Sequence, residues 1–288
     1  MVELSKTNCG VSASDADIRK SQLSMLETLA DFCKNNGIRC FLDGGTLLGA
    51  VRHHGFIPWD DDIDVMIPHP DCLRMQEISG GRIGPYLLCP PEIRGRESNE
   101  NWKLYDPSLV IESDFGGSSS QCHYFPVFID IFQMEGLPDT ERETAAWYRR
   151  VVFYRKLLYC TAGSVWHGST LPRRIFHGLM RPFAMLIGPE RLFRRLQRAK
   201  ERLSFDEARY VGNMSGPVHT TDSRVLKEEY LRAQTLQFEG RDYVVPGNYL
   251  QYLEQLYGKG CTTTLPPENE RKTRHSFKVY RYCDPATK

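Results

Sequence analysis

The stretch Trp59–Ile67 sets four aspartates, at positions 60, 61, 62 and 64, among residues that otherwise read as a buried strand. Side chains alternate across a strand, so Ile63, Val65 and Ile67 would point into a core. Asp62 and Asp64 would point the other way, with Asp60 one step earlier on their face. The α-carbons of Asp62 and Asp64 then lie ~6.6 Å apart, two rises of ~3.3 Å. Two carboxylates at that spacing reach one hard cation at Mg–O distances of ~2.1 Å. Without a cation, three like charges in a row destabilise a strand. An acidic run is often a solvated loop, and the flanking Trp59, Ile63, Val65 and Ile67 argue against that here. A calcium loop of EF-hand type is excluded: counted from Asp60, its obligatory Gly and Glu fall on Val65 and Asp71.

A further carboxylate stands in the most apolar segment of the chain. Asp130 lies within Val127–Phe132, which reads as a strand buried on both faces. An unpaired carboxylate there costs several kcal/mol, so Asp130 needs a cation, strong hydrogen bonds or a salt-bridge partner. If the strand lies beside residues 59–67, Asp130 completes a three-carboxylate site with Asp62 and Asp64. Divalent ions held ~3.5–4 Å apart in such a site activate a nucleophile and neutralise a leaving phosphate.

Fourteen residues before the acidic run, Gly44-Gly45-Thr46 ends one predicted strand and opens a predicted helix. Free N–H groups at a helix N-terminus suit a phosphate, and paired glycines let a ligand approach the backbone. The spacing fits neither a P-loop nor a dinucleotide fingerprint, and a plain turn is the competing reading. Arg52 is placed to clamp a diphosphate or to sit at the surface. Lys103 either points into a cleft or snorkels. Arg271, Arg274 and His275 lie in a Pro- and Arg-rich tail that closes over a nucleotide or is simply solvated.

The pattern predicts an α/β core followed by a helical region and a mixed C-terminal part. Ser14 or Asp15 caps a helix over 16–35, and Gly37 ends it. Strands are expected at 38–43, 59–67, 86–89, 101–106, 109–112 and 125–133, with polar loop over 94–101. Helices are expected at 46–53, 70–79, 139–160, 171–203 (interrupted at Pro182 and Gly188-Pro189) and 247–257. The 288 residues, 41% hydrophobic, are enough for a sizeable core. Nine cysteines with no C-x-x-C pair read as thiols in a reducing compartment. No signal peptide or membrane-spanning stretch is visible, so a cytoplasmic location is expected. The net charge is +1, yet residues 173–202 hold nine Lys/Arg against two acids. That segment also carries many large apolar residues. It reads either as a packed helical pair or as a basic helix lying on the inner face of an anionic membrane. Aromatic and Gly-rich RNA-binding signatures are missing, and no nucleic-acid partner is expected.

Residues 41–65, from Phe41-Leu42-Asp43-Gly44-Gly45-Thr46 through Trp59-Asp60-Asp61-Asp62-Ile63-Asp64-Val65, strongly resemble the signature of the LicD family. That family includes bacterial phosphocholine transferases and fukutin-type proteins. Val127–Phe132, Phe238-Glu239-Gly240, Val245-Pro246-Gly247-Asn248, Tyr257-Gly258 and Pro266–His275 extend the likeness, while residues 137–210 match poorly. The resemblance implies an α/β (α+β), nucleotidyltransferase-like fold, with a mixed sheet core and flanking helices. Its single domain over 1–288 comprises a catalytic core at 14–136, a divergent helical region at 137–210 and a completing part at 211–288. It implies that Asp62, Asp64 and Asp130 hold Mg²⁺ or Mn²⁺ and that Gly44-Gly45-Thr46 contacts phosphate. It also implies transfer of phosphocholine or a polyol phosphate from a CDP-linked donor to a glycan or glycolipid acceptor. Acceptors of that type are precursors of teichoic acid, lipopolysaccharide or capsule. Transfer of a nucleotide with release of diphosphate, and a binding protein with a decayed site, are the competing expectations.

Overall fold

Ser14 closes a capping box ahead of the first long helix. Its hydroxyl accepts from the Asp17 N–H at 3.3 Å, and the Asp17 carboxylate accepts from the Ser14 N–H at 2.9 Å. In the computed structural model this helix, α1 (Asp15–Asn36), follows strand β1 (Cys9–Ala13) and stops at Gly37, whose φ of 64° is left-handed. Ile18, Met25, Leu26, Leu29 and Cys33 form its buried stripe.

The structure describes residues 4, 6–94, 97–113, 123–161, 171–215, 224–271 and 278–283. After α1 come β2 (Phe41–Leu42), α2 (Gly44–His53), β3 (Asp64–Pro68), α3 (His69–Ser79), β4 (Arg82–Ile83) and β5 (Tyr86–Cys89). A hairpin, β6 (Glu92–Arg94) and β7 (Glu97–Asn99), precedes the long strands β8 (Trp102–Ser113) and β9 (His123–Leu137). Helices α4 (Glu141–Thr161), α5 (Leu171–Ile187) and α6 (Pro189–Lys200) follow, then β10 (Tyr210–Gly212), β11 (Val225–Leu226) and α7 (Lys227–Leu231). The chain ends with β12 (Gln234–Phe238), β13 (Arg241–Val245), α8 (Tyr249–Tyr257) and β14 (Lys278–Tyr282).

Two compact units divide these elements. The first takes Met1–Cys89, Trp102–Phe132 and Glu229–Lys288; the second takes Pro90–Asn101 and Gln133–Glu228. In the first unit the sheet runs β1-β14-β8-β9, with β3 beside β9, β2 beside β3, and β5 linking β4 to β8. The pairs β1/β14, β14/β8, β8/β9, β5/β8, β4/β5 and β2/β3 are antiparallel. This is an α+β architecture, in agreement with the expected fold class. In the second unit the last residues of β9 pair with β10, and β10 with β11. Its core joins Leu137, Trp147, Val151, Leu158, Leu192 and Leu196.

Several local expectations are corrected. Residues 59–63 are not strand, because the carbonyls of Asp60 and Asp61 go to α1 instead of to a neighbouring strand. Arg19 donates to the carbonyls of Pro58 and Asp60, and Gln22 donates to that of Asp61. Strand 38–43 shortens to two residues. The candidates at 101–106 and 109–112 are one strand, irregular between Asp106 and Val110, where Pro107 cannot donate to a ladder. Within the segment expected as polar loop, Arg94 and residues 97–99 belong to the paired strands β6 and β7. Pro182 lies inside α5 without ending it, and the break comes at Gly188, whose φ is 86°. Strand β9 is not buried on both faces: Val127, Ile129 and Ile131 are fully buried, whereas Phe128, Asp130 and Phe132 are half-buried.

Candidate active site

All the site residues described below belong to the first unit. Between β2 and α2 the chain turns through Asp43 and Gly44. Asp43 is the N-cap residue of α2, and Gly44 takes φ 53°. The turn is locked to β3 from both sides. The Asp43 N–H donates to the Asp64 carbonyl at 3.1 Å, and the Asp64 N–H donates to the Thr46 hydroxyl oxygen at 2.9 Å. Thr46 is buried and thereby positions Asp64. One ladder bond further on, the Asp130 N–H donates to the Ile63 carbonyl at 3.0 Å, which sets β9 beside the acidic segment.

The glycines stand against carboxylates. A Cβ built on Gly44 would meet Asp64 Oδ2 at 2.8 Å, and one built on Gly45 would run into Asp60 Oδ2. The missing side chains therefore leave room for the acids themselves. Asp60, Asp61 and Asp62 each offer an oxygen, and the three converge within 4.8 Å; among the described residues this is the group able to hold a metal ion. Asp64 and Asp130 approach it electrostatically. Asp62 is pushed up to about 7 by burial, then by interaction with Asp60, Asp61 and Asp130. Asp64 is raised well above the ordinary carboxylate value by burial first, then by the charges of Asp62, Asp130, Asp43 and Asp60.

Lys103 faces Asp130 across the β8/β9 ladder, and its Nζ lies 2.5 Å from Asp130 Oδ1. The same ammonium sits 3.4 Å from the centroid of the Phe128 ring. Asp130 thus has an ion-pair partner, one of the alternatives its sequence context left open. Arg52 donates to the Cys261 carbonyl at 3.2 Å, while its Nε is buried with no hydrogen-bond partner. Burial lowers its pKa first, and Arg271 adds to that. Arg52 and Arg271 both approach the Trp59 ring, at 6.0 and 5.6 Å from its centroid. Two guanidiniums and the acidic segment therefore meet around one indole. His275 and Arg274 lie outside the described residues.

Reading the sequence passed over Asp43. Its carboxylate accepts from the Tyr252 hydroxyl at 2.7 Å, and burial pushes it up to about 6. The available signal was its place directly before a helix-opening Gly-Gly, where N-cap residues favour Asp. Tyr252 arrives from α8, 209 residues downstream, and nothing in the sequence announces that contact.

The family model described as "LicD/FKTN/FKRP, nucleotidyltransferase domain" matches residues 37–159, which contain every carboxylate of this site. Over those residues the chain is similar to the LicD family. Its similarity to the lipopolysaccharide cholinephosphotransferase LicD of Haemophilus influenzae is 27% identity, spanning 91% of this chain and 97% of that protein. The human ribitol 5-phosphate transferase FKRP is 44% identical over 48 residues, 17% of this chain and 10% of that one. An uncharacterized protein of Rickettsia typhi is 38% identical over 77 residues, 24% of this chain and 25% of its own length. The match spans parts of both compact units.

Proposed function

We propose that the chain is a metal-dependent phosphotransferase that moves a phospho-alcohol, phosphocholine or a polyol phosphate, from a CDP-linked donor to a glycan or glycolipid acceptor. The coarser statement, that it transfers a phosphorus-containing group, rests on the family and on the names of two relatives. The observation that carries the finer reading is the crowding of carboxylates against the Gly44-Gly45 turn, where Asp60 and Asp64 lie against the glycine α-carbons.

The donor set fits a hard divalent cation. It is all oxygen and converges within 4.8 Å at Asp60, Asp61 and Asp62, and Asp62 and Asp64 crowd like charges that a cation relieves. Asp62 and Asp64, with Asp60 and Asp130 beside them, would hold Mg²⁺ or Mn²⁺. When bound, the ion supplies positive charge to the donor's diphosphate. The protein's own groups do the rest. Arg52 and Arg271 grip diphosphate oxygens beside Trp59, a site where two cations otherwise face each other. The acceptor hydroxyl attacks the β-phosphorus of the donor, the bond to the bridging oxygen breaks, and CMP leaves. Asp130 takes the hydroxyl proton, and Lys103 turns from Asp130 towards the phosphoryl oxygens. Catalysis of this kind is mainly positioning and charge neutralisation.

The test is incubation of the full chain with CDP-choline and CDP-ribitol, Mg²⁺ and cell-envelope glycans, followed by mass spectrometry of the products. CMP release coupled to a phospho-alcohol on the glycan is the expected result. Release of diphosphate would replace this reading with nucleotidyl transfer, and no turnover with any donor would overturn it.

A further inference from the structure

Helix α5 carries apolar side chains on two faces, and the second unit uses one of them. Phe176, Met180, Ala184 and Ile187 pack on the core built around α4 and α6. Leu171, Ile175, Leu179, Phe183 and Leu186 stand 55–82% exposed. Their spacing of four, four, four and three residues makes one continuous stripe along the helix. A single exposed leucine is unremarkable, but five large apolar side chains in a row mark an interaction surface.

The charge of α5 and α6 argues for what covers it. Helix α5 contains Arg173, Arg174 and Arg181 and no acid. Helix α6 buries Leu192, Phe193 and Leu196 and turns Arg191, Arg194, Arg195 and Arg198 to solvent. A second copy of this chain would bring the same positive charge against itself. A bilayer rich in anionic lipid offers both things the surface lacks, an apolar layer and fixed negative charge above it. No helix among the described residues is long and apolar enough to cross a membrane, so the contact lies in the plane of the surface.

We infer that α5 is an in-plane anchor for an anionic membrane, its exposed stripe seated at the boundary of headgroups and acyl chains and the exposed arginines of α6 on the headgroup phosphates. Each such arginine adds to the attraction, which falls off within a Debye length of the surface. The inference stands on the second unit alone and does not depend on the reaction proposed above.

Vesicle flotation of the full chain tests it. The protein should float at low salt with phosphatidylcholine vesicles containing phosphatidylserine, stay down with pure phosphatidylcholine, and be released by high salt. Leu179→Glu with Phe183→Glu should lower the bound fraction by about tenfold or more, with circular dichroism and melting unchanged because both side chains are exposed. Leu179→Ser with Phe183→Ser, which adds no negative charge, should weaken binding in the same direction. Failure to float at low salt, equal binding to both vesicle types, or undiminished binding of the serine variant would overturn the inference. So would a dimer in solution that the glutamate variant converts to monomer, which would assign the stripe to a second copy.

Discussion

Replacing Asp62 by Asn removes one charge from a crowded carboxylate group, and the structure predicts that the metal-free protein becomes more stable for it. Asp62 rises from an ordinary value of 3.8 to about 7, so the folded state holds this proton more tightly than the unfolded chain does. Stability from this group is therefore fully present below the unfolded pKa and is lost as pH rises towards the folded one. The rise corresponds to roughly 4 kcal/mol between the two protonation states. Asp60, Asp61 and Asp130 share the repulsion, and hydrogen bonds to the carboxylate are lost with it. Neutralising Asp62 alone should then recover on the order of 1–2 kcal/mol. For a unit of this size that is a rise in Tm of roughly 2–8 °C at about pH 8. At about pH 4 the gap should close, because the native side chain is then already protonated. Thermal melts in a chelator at both pH values, repeated with Mg²⁺, measure this. The wild type should gain stability from Mg²⁺ and Asp62→Asn should not, and the variant should lose transfer activity. A lower Tm for Asp62→Asn at the higher pH in chelator, or an undiminished difference at the lower one, would falsify the crowding argument.

Gly45→Ala places a methyl group against Asp60 Oδ2, the movable end of a side chain, at a glycine with no positive φ. Calorimetry should show weaker Mg²⁺ binding, by about tenfold, with less than ~1 kcal/mol lost from the fold; unchanged metal affinity would mean that Asp60 takes no part. In the second unit, Lys200 is fully buried 3.8 Å from buried Glu135. Lys200→Met should cost roughly 3–5 kcal/mol at about pH 8, because it strands a buried carboxylate. Burial pushes Glu135 up to about 7, so the loss should shrink as pH falls through that value and Glu135 takes up its proton. Denaturant titrations at two pH values decide the matter, and a cost independent of pH would count against the pair.

What the sequence determined by itself is local or compositional. The capping box at Ser14 and the stop at Gly37 are written within a few residues of the elements they end, and α1 forms where they put it. The acids at 60–64, the glycine pair and Asp130 were legible as a constellation, because charged residues inside apolar runs demand compensation wherever the chain folds. Period-2 patterning nonetheless misread residues 59–63 as strand. A backbone becomes strand only if a neighbouring strand accepts its hydrogen bonds, and here Arg19 and Gln22 of α1 take the carbonyls of Pro58, Asp60 and Asp61. Tertiary structure alone decided that Lys103 pairs with Asp130, that Tyr252 reaches Asp43 and that Arg52 meets Arg271 at Trp59. Each joins residues at least 27 positions apart. Contacts at such separation depend on ladder register and packing, which a local reading of the sequence does not contain.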